Sequence, residues 1–249
     1  MADGLVEQAL ELTLGQERRL SASFEADAGQ DLDVADYAAS LLLAILTQAT
    51  PEPTTIAINI NAEDDTISGN VEQLHLHAQV YIGVRAWRAM RASRAVLSVG
   101  YGSESRALDR IIIELQAHRR SILDDPSGKE ARAWLQGERG RGISARVKKI
   151  TPTDLYKNLS HDSHGDPVPV QRLYDEASGS LLLSPRRERT ARASLLMHAG
   201  FARDQAVLIA ELARLEFGGV VRALDEVINS RRDVLAAEVN ADHAADPEG

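Results

Sequence analysis

The sequence predicts a mainly α protein, a helical bundle with a small β-hairpin inserted before a long penultimate helix. Apolar residues recur at intervals of three and four along most of the 249 residues, as expected for amphipathic helices. Glycine and proline pairs separate these stretches, and only short segments alternate with period two. The hydrophobic share of 44% is enough to build a core.

The first quarter of the chain contains two predicted helices and one strand. Residues 3–13 have helical spacing of apolar side chains, whereas residues 21–33 are small, polar and acidic and are interpreted as a linker. Residues 37–46 form an apolar helix that two prolines soon end. Isoleucines alternate with small or polar residues over 56–60, which predicts a short strand.

The middle of the chain is predicted to be helical from about residue 75. The pattern over 75–99 also fits period two in its first half, but a strand of that length is improbable. Ser103 is a suitable N-cap for a helix over 103–122. Two short helices are expected at 129–137 and 142–149.

Residues 151–154 introduce the next helix with the residues that helix starts prefer. Threonine at the N-cap, proline at the first position and aspartate at the third predict a helix over 152–164. Two β-prone segments, 168–174 and 180–183, surround a glycine-containing turn and predict the hairpin.

The last quarter of the chain is predicted as two helices in series. A long helix covers 185–217, and two glycines at 218–219 bend the chain into a last helix over 220–238. The polar end, 240–249, is predicted to be a disordered tail.

Charge divides the chain unevenly and suggests a domain organisation. Residues 1–70 carry 13 acidic side chains against two arginines, whereas residues 85–157 carry 16 basic against eight acidic ones. We therefore predict an acidic N-terminal attachment over 1–70, a helical-bundle domain over 71–239 and the tail. Either the acidic segment packs near the basic helices and neutralises them, which we favour, or the basic helices bind phosphates in competition with it.

Composition excludes several classes of protein. Without cysteine, a disulfide scaffold, a thiolate zinc site, an iron–sulfur cluster and a cysteine nucleophile are all excluded. No apolar run is judged long enough for a membrane span, and the acidic N-terminus is unlike a signal peptide. A cytoplasmic protein without cofactor or membrane partner is the expectation.

One candidate site lies on the predicted helix over 152–164. Lys157, His161 and His164 share one face, with Tyr156 and Ser160 in the adjacent row. A cation and two imidazoles could bind a phosphate and move a proton, as metal-independent RNA cleavage requires. The two histidines could instead hold a metal, or they could simply complement the helix dipole, which we favour.

A second candidate is a polar stripe on the helix over 103–122. Arg106, Arg110, Glu114 and His118 follow one another at intervals of four, so that Arg110 and Glu114 have the spacing of an ion pair. Next to three isoleucines the pair could be partly buried and part of a polar network with Tyr156 and Ser160. A structural role is favoured.

Two arginine-containing stretches resemble each other in sequence. Residues 91–97 and 189–195 share arginines three residues apart and a leucine at the end, which is compatible with an ancient duplication. The arginines of the first stretch belong to a row with Arg85 and Arg88. Steps of three spread that row around the helix, so one half is expected over alanine-rich packing and the other facing solvent or carboxylates.

Two short motifs stand out: the run from Arg110 to Glu114, and residues 155–160 followed by His164. They resemble the motifs of a widespread bacterial helical family, domain-of-unknown-function family five-six-seven-seven. The resemblance covers about residues 75–216, with Ile111 where the family tends to serine and Lys157 where it tends to arginine. The layout is also similar to HEPN domains, which implies a place in stress or defence systems and, in some members, RNase activity.

The leading functional hypothesis is a non-catalytic helical interaction module of a bacterial stress or defence system. It would act as a homo-oligomer or on a protein partner, with RNA as a further candidate partner. The alternative is a metal-independent endoribonuclease with His164 as acid or base, His161 assisting and Lys157 binding phosphate. A metal-dependent hydrolase at the same two histidines is the third hypothesis.

Overall fold

The computed structural model describes residues 2–50, 58–61, 66–137, 143–150, 174–175, 180–181 and 188–245, and these are mainly α, as predicted. The helices in this part of the chain are α1 (Ala2–Ala49), α2 (Val71–Ser98), α3 (Gly102–Leu123), α4 (Lys129–Leu135), α5 (Ile143–Ile150), α6 (Glu188–Leu212) and α7 (Gly218–Ala245). The predicted helix over 152–164 lies outside the described residues.

Four short strands in the described part of the chain form two antiparallel pairs. β1 (Ile58–Asn61) pairs with β2 (Thr66–Gly69), with Ile58 opposite Gly69. β3 (Tyr174–Asp175) pairs with β4 (Ser180–Leu181) over two residues each. Because only these four residues of the predicted hairpin are described, a hairpin of the predicted length remains a prediction.

The linker predicted over residues 21–33 is wrong, because α1 runs through it without a break. Phe24, Ala28, Leu32 and Ala35 repeat at intervals of three and four and are buried together on one side of the helix. The acidic and small residues between them gave the segment its linker-like composition, but the apolar spacing is helical.

The bounds of the last two helices also differ from the prediction. α6 ends at Leu212, five residues earlier than expected, because Arg214 adopts a left-handed φ of 58°. The amide of Leu215 donates to the carbonyl of Ala210 at 2.8 Å, the bond that closes a Schellman-type helix end. α7 then continues to Ala245, so the first six residues of the predicted tail are helical.

The main hydrophobic cluster joins residues of α1, α2, α3, α6 and α7. Its fully buried side chains include Leu42, Ile82, Ile112, Ile209 and Ile228. α1 thus packs in the same core as the later helices, while the domain boundary at residue 70 remains a prediction.

α2 approaches its neighbours closely at Gly83. A Cβ at this position would lie 2.9 Å from Cδ2 of Leu46 on α1 and 3.1 Å from Cδ1 of Ile209 on α6. Glycine costs helix stability in isolation, but here it lets three helices approach each other.

Asp36 of α1 neutralises part of the basic α2, and Glu17 binds the residue that precedes α3. Arg91 and Arg94 each donate to Asp36 at 2.9 Å, and Tyr101 donates to Glu17 at 3.0 Å. These contacts agree with the favoured interpretation of the charge distribution, in which acidic and basic segments pack together.

The two similar arginine stretches make equivalent contacts with α1. Arg94 and Arg192 occupy matching positions, and each donates from Nε to an aspartate of α1. Leu97 and Leu195 also match, and both are buried in the cluster formed with Phe24. The second half of α2 and the first half of α6 thus contact the same helix in a similar way.

A buried carboxylate connects α1, α6 and α7. Asp31 has no exposed surface and accepts from Nε of Arg192 and from Nε of Arg231, both at 2.6 Å. Arg192 is itself buried and also donates to Glu238 at 2.5 Å. These hydrogen bonds raise the pKa of Arg192 above its ordinary value, the bond to Asp31 most of all.

By length and composition, the part of α1 from Glu17 to Ala49 could cross a membrane, contrary to the expectation from sequence. Its most apolar window reaches a mean hydropathy of 1.3 because it is rich in alanine and leucine. However, 56% of that window is buried within the protein, as in the core helix of a bundle.

Replacing Asp31 is expected to be far more destabilising than replacing Asp36. Asp31→Ala leaves the buried guanidinium of Arg192 without its main partner, which costs about 3–5 kcal/mol of unfolding free energy. Asp36→Ala removes pairs whose side chains are 30–47% exposed, and such pairs contribute about 1 kcal/mol or less each. Urea denaturation measures the unfolding free energy of both variants. Equal losses of unfolding free energy would show that the burial of Asp31 adds nothing to stability.

Candidate functional site

Five polar side chains meet in the interior where α2, α3 and α6 come together, and we call them the Asp109 cluster. They are Ser93 of α2, Ser105 and Asp109 of α3, and Ser194 and His198 of α6. None is more than 7% exposed. Buried polar groups of this kind are stable only when their hydrogen bonds are satisfied.

The carboxylate of Asp109 is the centre of the cluster. Its Oδ1 lies 2.7 Å from Nε2 of His198 and accepts from Oγ of Ser93 at 3.2 Å. Its Oδ2 accepts from Oγ of Ser194 at 2.5 Å. An ionised carboxylate can only accept, so Nε2 of His198 carries the donated proton.

The direction of the remaining hydrogen bond follows from the same reasoning. Oγ of Ser93 and Oγ of Ser105 are 2.7 Å apart, and either could donate. Ser93 has a single hydroxyl proton, which it gives to Asp109, so Ser105 donates to Ser93. The cluster is a chain of donors that ends on one carboxylate.

Helical spacing brings these side chains together. Ser105 and Asp109 are four residues apart on α3, as Ser194 and His198 are on α6, so each pair lies on one face. Serine fits among the alanines of α2 and α6 with little added volume. The cluster therefore joins three helices within the core.

The arrangement differs from a serine–histidine–aspartate catalytic relay. In that relay the serine donates to one nitrogen of the imidazole while the carboxylate holds the other. Here Ser194 donates to the carboxylate itself, and the ring nitrogen facing Asp109 is Nε2. With exposures of 2% for His198 and 4% for Asp109, a substrate has no access to either group.

The ion pair predicted between Arg110 and Glu114 forms. Nε of Arg110 lies 2.9 Å from Oε1 of Glu114, and their side chains are 23% and 28% exposed. Arg110 follows Asp109 in sequence but is on a different face of α3, so the pair is separate from the cluster. Its predicted connection with Tyr156 and Ser160 cannot be compared, since both lie outside the described residues.

Farther along the same stripe, His118 packs near Trp134 of α4. The ring centroids are 6.4 Å apart and the planes are tilted by 57°. Burial lowers the pKa of His118 below its ordinary value, and the nearby charge of Arg146 lowers it further. Both effects favour the neutral form of the imidazole.

The proposed catalytic residues Lys157, His161 and His164 also lie outside the described residues. Within the part of the chain that the structure describes, no group of three or more histidine, aspartate or glutamate side chains is arranged to hold a metal ion.

An open groove lies between α3, α4 and α5, and its charged side chains are largely paired. Arg120 contacts Asp124 at 3.1 Å, and Arg146 contacts Glu130 at 3.0 Å. Asp125 accepts from the amide of Glu130 at 2.8 Å and from the hydroxyl of Ser127 at 2.6 Å, and so stabilises the start of α4.

Sequence reasoning missed the Asp109 cluster. Six residues separate Arg192 from His198, which places them about 120° apart on a helix, so the sequence suggests no common site for them. That angle is correct, but each residue belongs to a different network on its own side of α6. The available signal was the pair of four-residue spacings, Ser105 to Asp109 and Ser194 to His198, on two helices.

Asp109→Ala is expected to destabilise the fold by about 3–5 kcal/mol, because it leaves a buried imidazole and two hydroxyls without their acceptor. Asp124→Ala, at the C-cap of the same helix, is the control: its side chain is 60% exposed, so a change within about 1 kcal/mol is expected. Both are measured by chemical denaturation. Wild-type stability of the Asp109 variant would show that the cluster contributes nothing to the fold.

Asp125 is expected to make stability depend on acid pH. The amide of Glu130 and the hydroxyl of Ser127 lower its pKa from 3.8 to about 2. A lowered carboxyl pKa stabilises the fold above the unfolded value and loses this effect as pH falls through the folded value. In low salt, wild type should therefore exceed Asp125→Asn in unfolding free energy at pH 5, and the difference should disappear towards pH 2. A difference independent of pH would contradict it.

The chain matches no family model, no curated protein and no solved structure. Its resemblance to the helical family and to HEPN domains therefore remains a prediction from the short motifs in its sequence.

Proposed function

We propose that this protein is a non-catalytic helical interaction module of a bacterial stress or defence system, acting by self-association or by binding a protein partner. The bacterial context is taken from the resemblance of its motifs. The proposal includes a cytoplasmic location and a complete β-hairpin before α6.

One observation carries the proposal: the most reactive combination of described side chains is enclosed. Asp109, His198 and three serines could in principle transfer protons, but they bond to one another with almost no exposed surface. Such groups stabilise and specify a fold when fully satisfied. To take part in catalysis, at least one of these groups would need to lie in an accessible cleft.

The packing of charge supports the same function. Asp31 and Asp36 of α1 engage four arginines of α2, α6 and α7, which leaves less positive charge for phosphates. Nucleic-acid binding depends on cations that are free to neutralise phosphates. RNA is therefore a weaker candidate partner than protein.

The first experiment measures molar mass by size-exclusion chromatography with light scattering over a range of concentrations. A mass above the chain's 27.1 kDa, or a protein that copurifies stoichiometrically, is expected. A strict monomer without any copurifying partner would contradict the proposal.

The alternative, a metal-independent endoribonuclease that uses His164, His161 and Lys157, rests on the sequence pattern alone. Purified protein incubated with RNA and a chelator is expected to show no turnover. Turnover that disappears in His164→Ala, with the circular dichroism spectrum unchanged, would overturn the non-catalytic assignment. Equal turnover in both proteins would indicate a contaminant.

A further inference from the structure

The connection between α6 and α7, residues 213–217, has an unfavourable backbone conformation, and we call it the hinge. α6 ends at Leu212, and the left-handed φ of 58° at Arg214 turns the chain back, so that α7 runs antiparallel to α6. A residue with a Cβ adopts this conformation at a cost, which is why glycine usually occupies such a position. A helix that continued through the hinge would remove this cost.

The residues of the hinge are suited to such a helix. They are alanine, arginine, leucine, glutamate and phenylalanine, of which the first four have high helix propensity. The glycines at 218 and 219 already belong to the first turn of α7. Joining the two helices therefore converts residues 213–217 alone, and the sequence pattern itself predicts a helix up to residue 217.

The contacts between α6 and α7 would fall on one side of the joined helix. Arg203 of α6 contacts Asp225 of α7 at 2.7 Å, and Arg232 of α7 donates to the carbonyl of Leu196 at 3.3 Å. At 100° per residue, these four residues would lie within about 40° of one another. Both pairs are centred on residue 214, which lies within the hinge.

The contacts with α1 obey the same relation. Leu195 of α6 is buried with Phe24 of α1, and Arg231 and Glu238 of α7 belong to the network of Asp31. On a joined helix, residues 195, 231 and 238 would lie within about 20° of one another. One straight helix thus presents both sets of contacts in phase, although they now belong to two antiparallel helices.

We propose that two copies of this chain associate by exchanging α7: in each copy α6 and α7 join through the hinge, and α7 packs against α6 and α1 of the second copy. This inference rests on the proposed function and specifies its self-association. A two-fold axis at residue 214 makes the two joined helices antiparallel. The contacts of α7 with α6 and α1 are then remade between two chains, as in a domain swap.

α7 is held in a way that permits this exchange. Within its described residues, the buried side chains are Leu224 and Ile228, both in its first half. Its second half makes polar contacts through three side chains, Arg231, Arg232 and Glu238. Asp31 and Arg192 stay paired with each other when α7 leaves, so that neither buried charge loses every partner.

The charges that the exchange newly brings together lie at the axis. Arg214 is on the side of the joined helix that faces the second copy, so the two copies of Arg214 approach each other. Glu211 is exposed, as Arg214 is, and lies about one turn away on both chains. Each arginine therefore has a glutamate of its own chain and one of the second copy within reach, and the charges at the axis balance.

Thiol cross-linking detects the exchange directly, because the natural chain has no cysteine. Ala193 of α6 and Ala236 of α7 line the same groove, and both are exposed. When Ala193→Cys and Ala236→Cys chains of different length are co-expressed and treated with a short bis-maleimide, a covalent heterodimer is expected. The control pairs Ala193→Cys with Tyr81→Cys, whose position is 59% exposed on α2, and should give none. Absence of the heterodimer, or an equal yield in the control, would overturn the inference.

Two variants of Arg214 test the part that the hinge plays. Arg214→Gly and Arg214→Ala both remove the guanidinium, but glycine also removes the cost of the left-handed conformation, about a factor of ten in equilibrium. Each dimer contains two hinges. The dimer dissociation constant, measured by light scattering after refolding from urea, is therefore expected to be about a hundredfold higher for Arg214→Gly than for Arg214→Ala. Equal constants would contradict the exchange.

The outcomes separate the inference from the proposed function. An oligomeric wild type without the cross-link between residues 193 and 236 contradicts the exchange of α7 and leaves the interaction module in place. A monomeric wild type that binds a protein partner does the same. A monomeric wild type without any partner contradicts both.

Discussion

The bundle depends on one buried carboxylate, that of Asp31, which accepts hydrogen bonds from Arg192 of α6 and Arg231 of α7. A carboxylate without solvent contact is tolerated only when it is paired, so the three helices must meet at this point. Arg192 is held in turn by Glu238, which adds a second contact to α7. Alanine-rich surfaces pack in many ways, and this ion network selects one of them.

The carboxylates of Asp109 and Asp36 are engaged by partners within the protein. Asp109 satisfies a histidine and two serines inside the protein, and Asp36 covers two arginines of α2 at its surface. On α7, Val220, Val227 and Val234 are exposed at intervals of seven residues among polar side chains. These described polar groups therefore serve the packing of the helices.

Much of the fold could be predicted from local patterns, because helix periodicity and caps are encoded by neighbouring residues. Asn70 accepts from the amide of Glu72 at 2.8 Å and fixes the start of α2, which settles a segment whose apolar pattern fitted both periods. The linker predicted over 21–33 is wrong because that prediction follows the small, acidic composition of the segment. The apolar residues from Phe24 to Leu32 have helical spacing and indicate the helix. The Asp109 cluster joins residues up to 89 positions apart, and no local pattern shows which polar side chains share an interior.

The two networks on α6 have opposite directions: Arg192 faces α1 and α7, whereas Ser194 and His198 face α2 and α3. A slip of α6 by one residue would rotate it by about 100° and remove partners from both networks at once. The smooth alanine surface of α6 alone would oppose such a slip only weakly. The two networks together thus fix the register of α6. A misaligned bundle loses two sets of buried hydrogen bonds at once and is less stable than the native one.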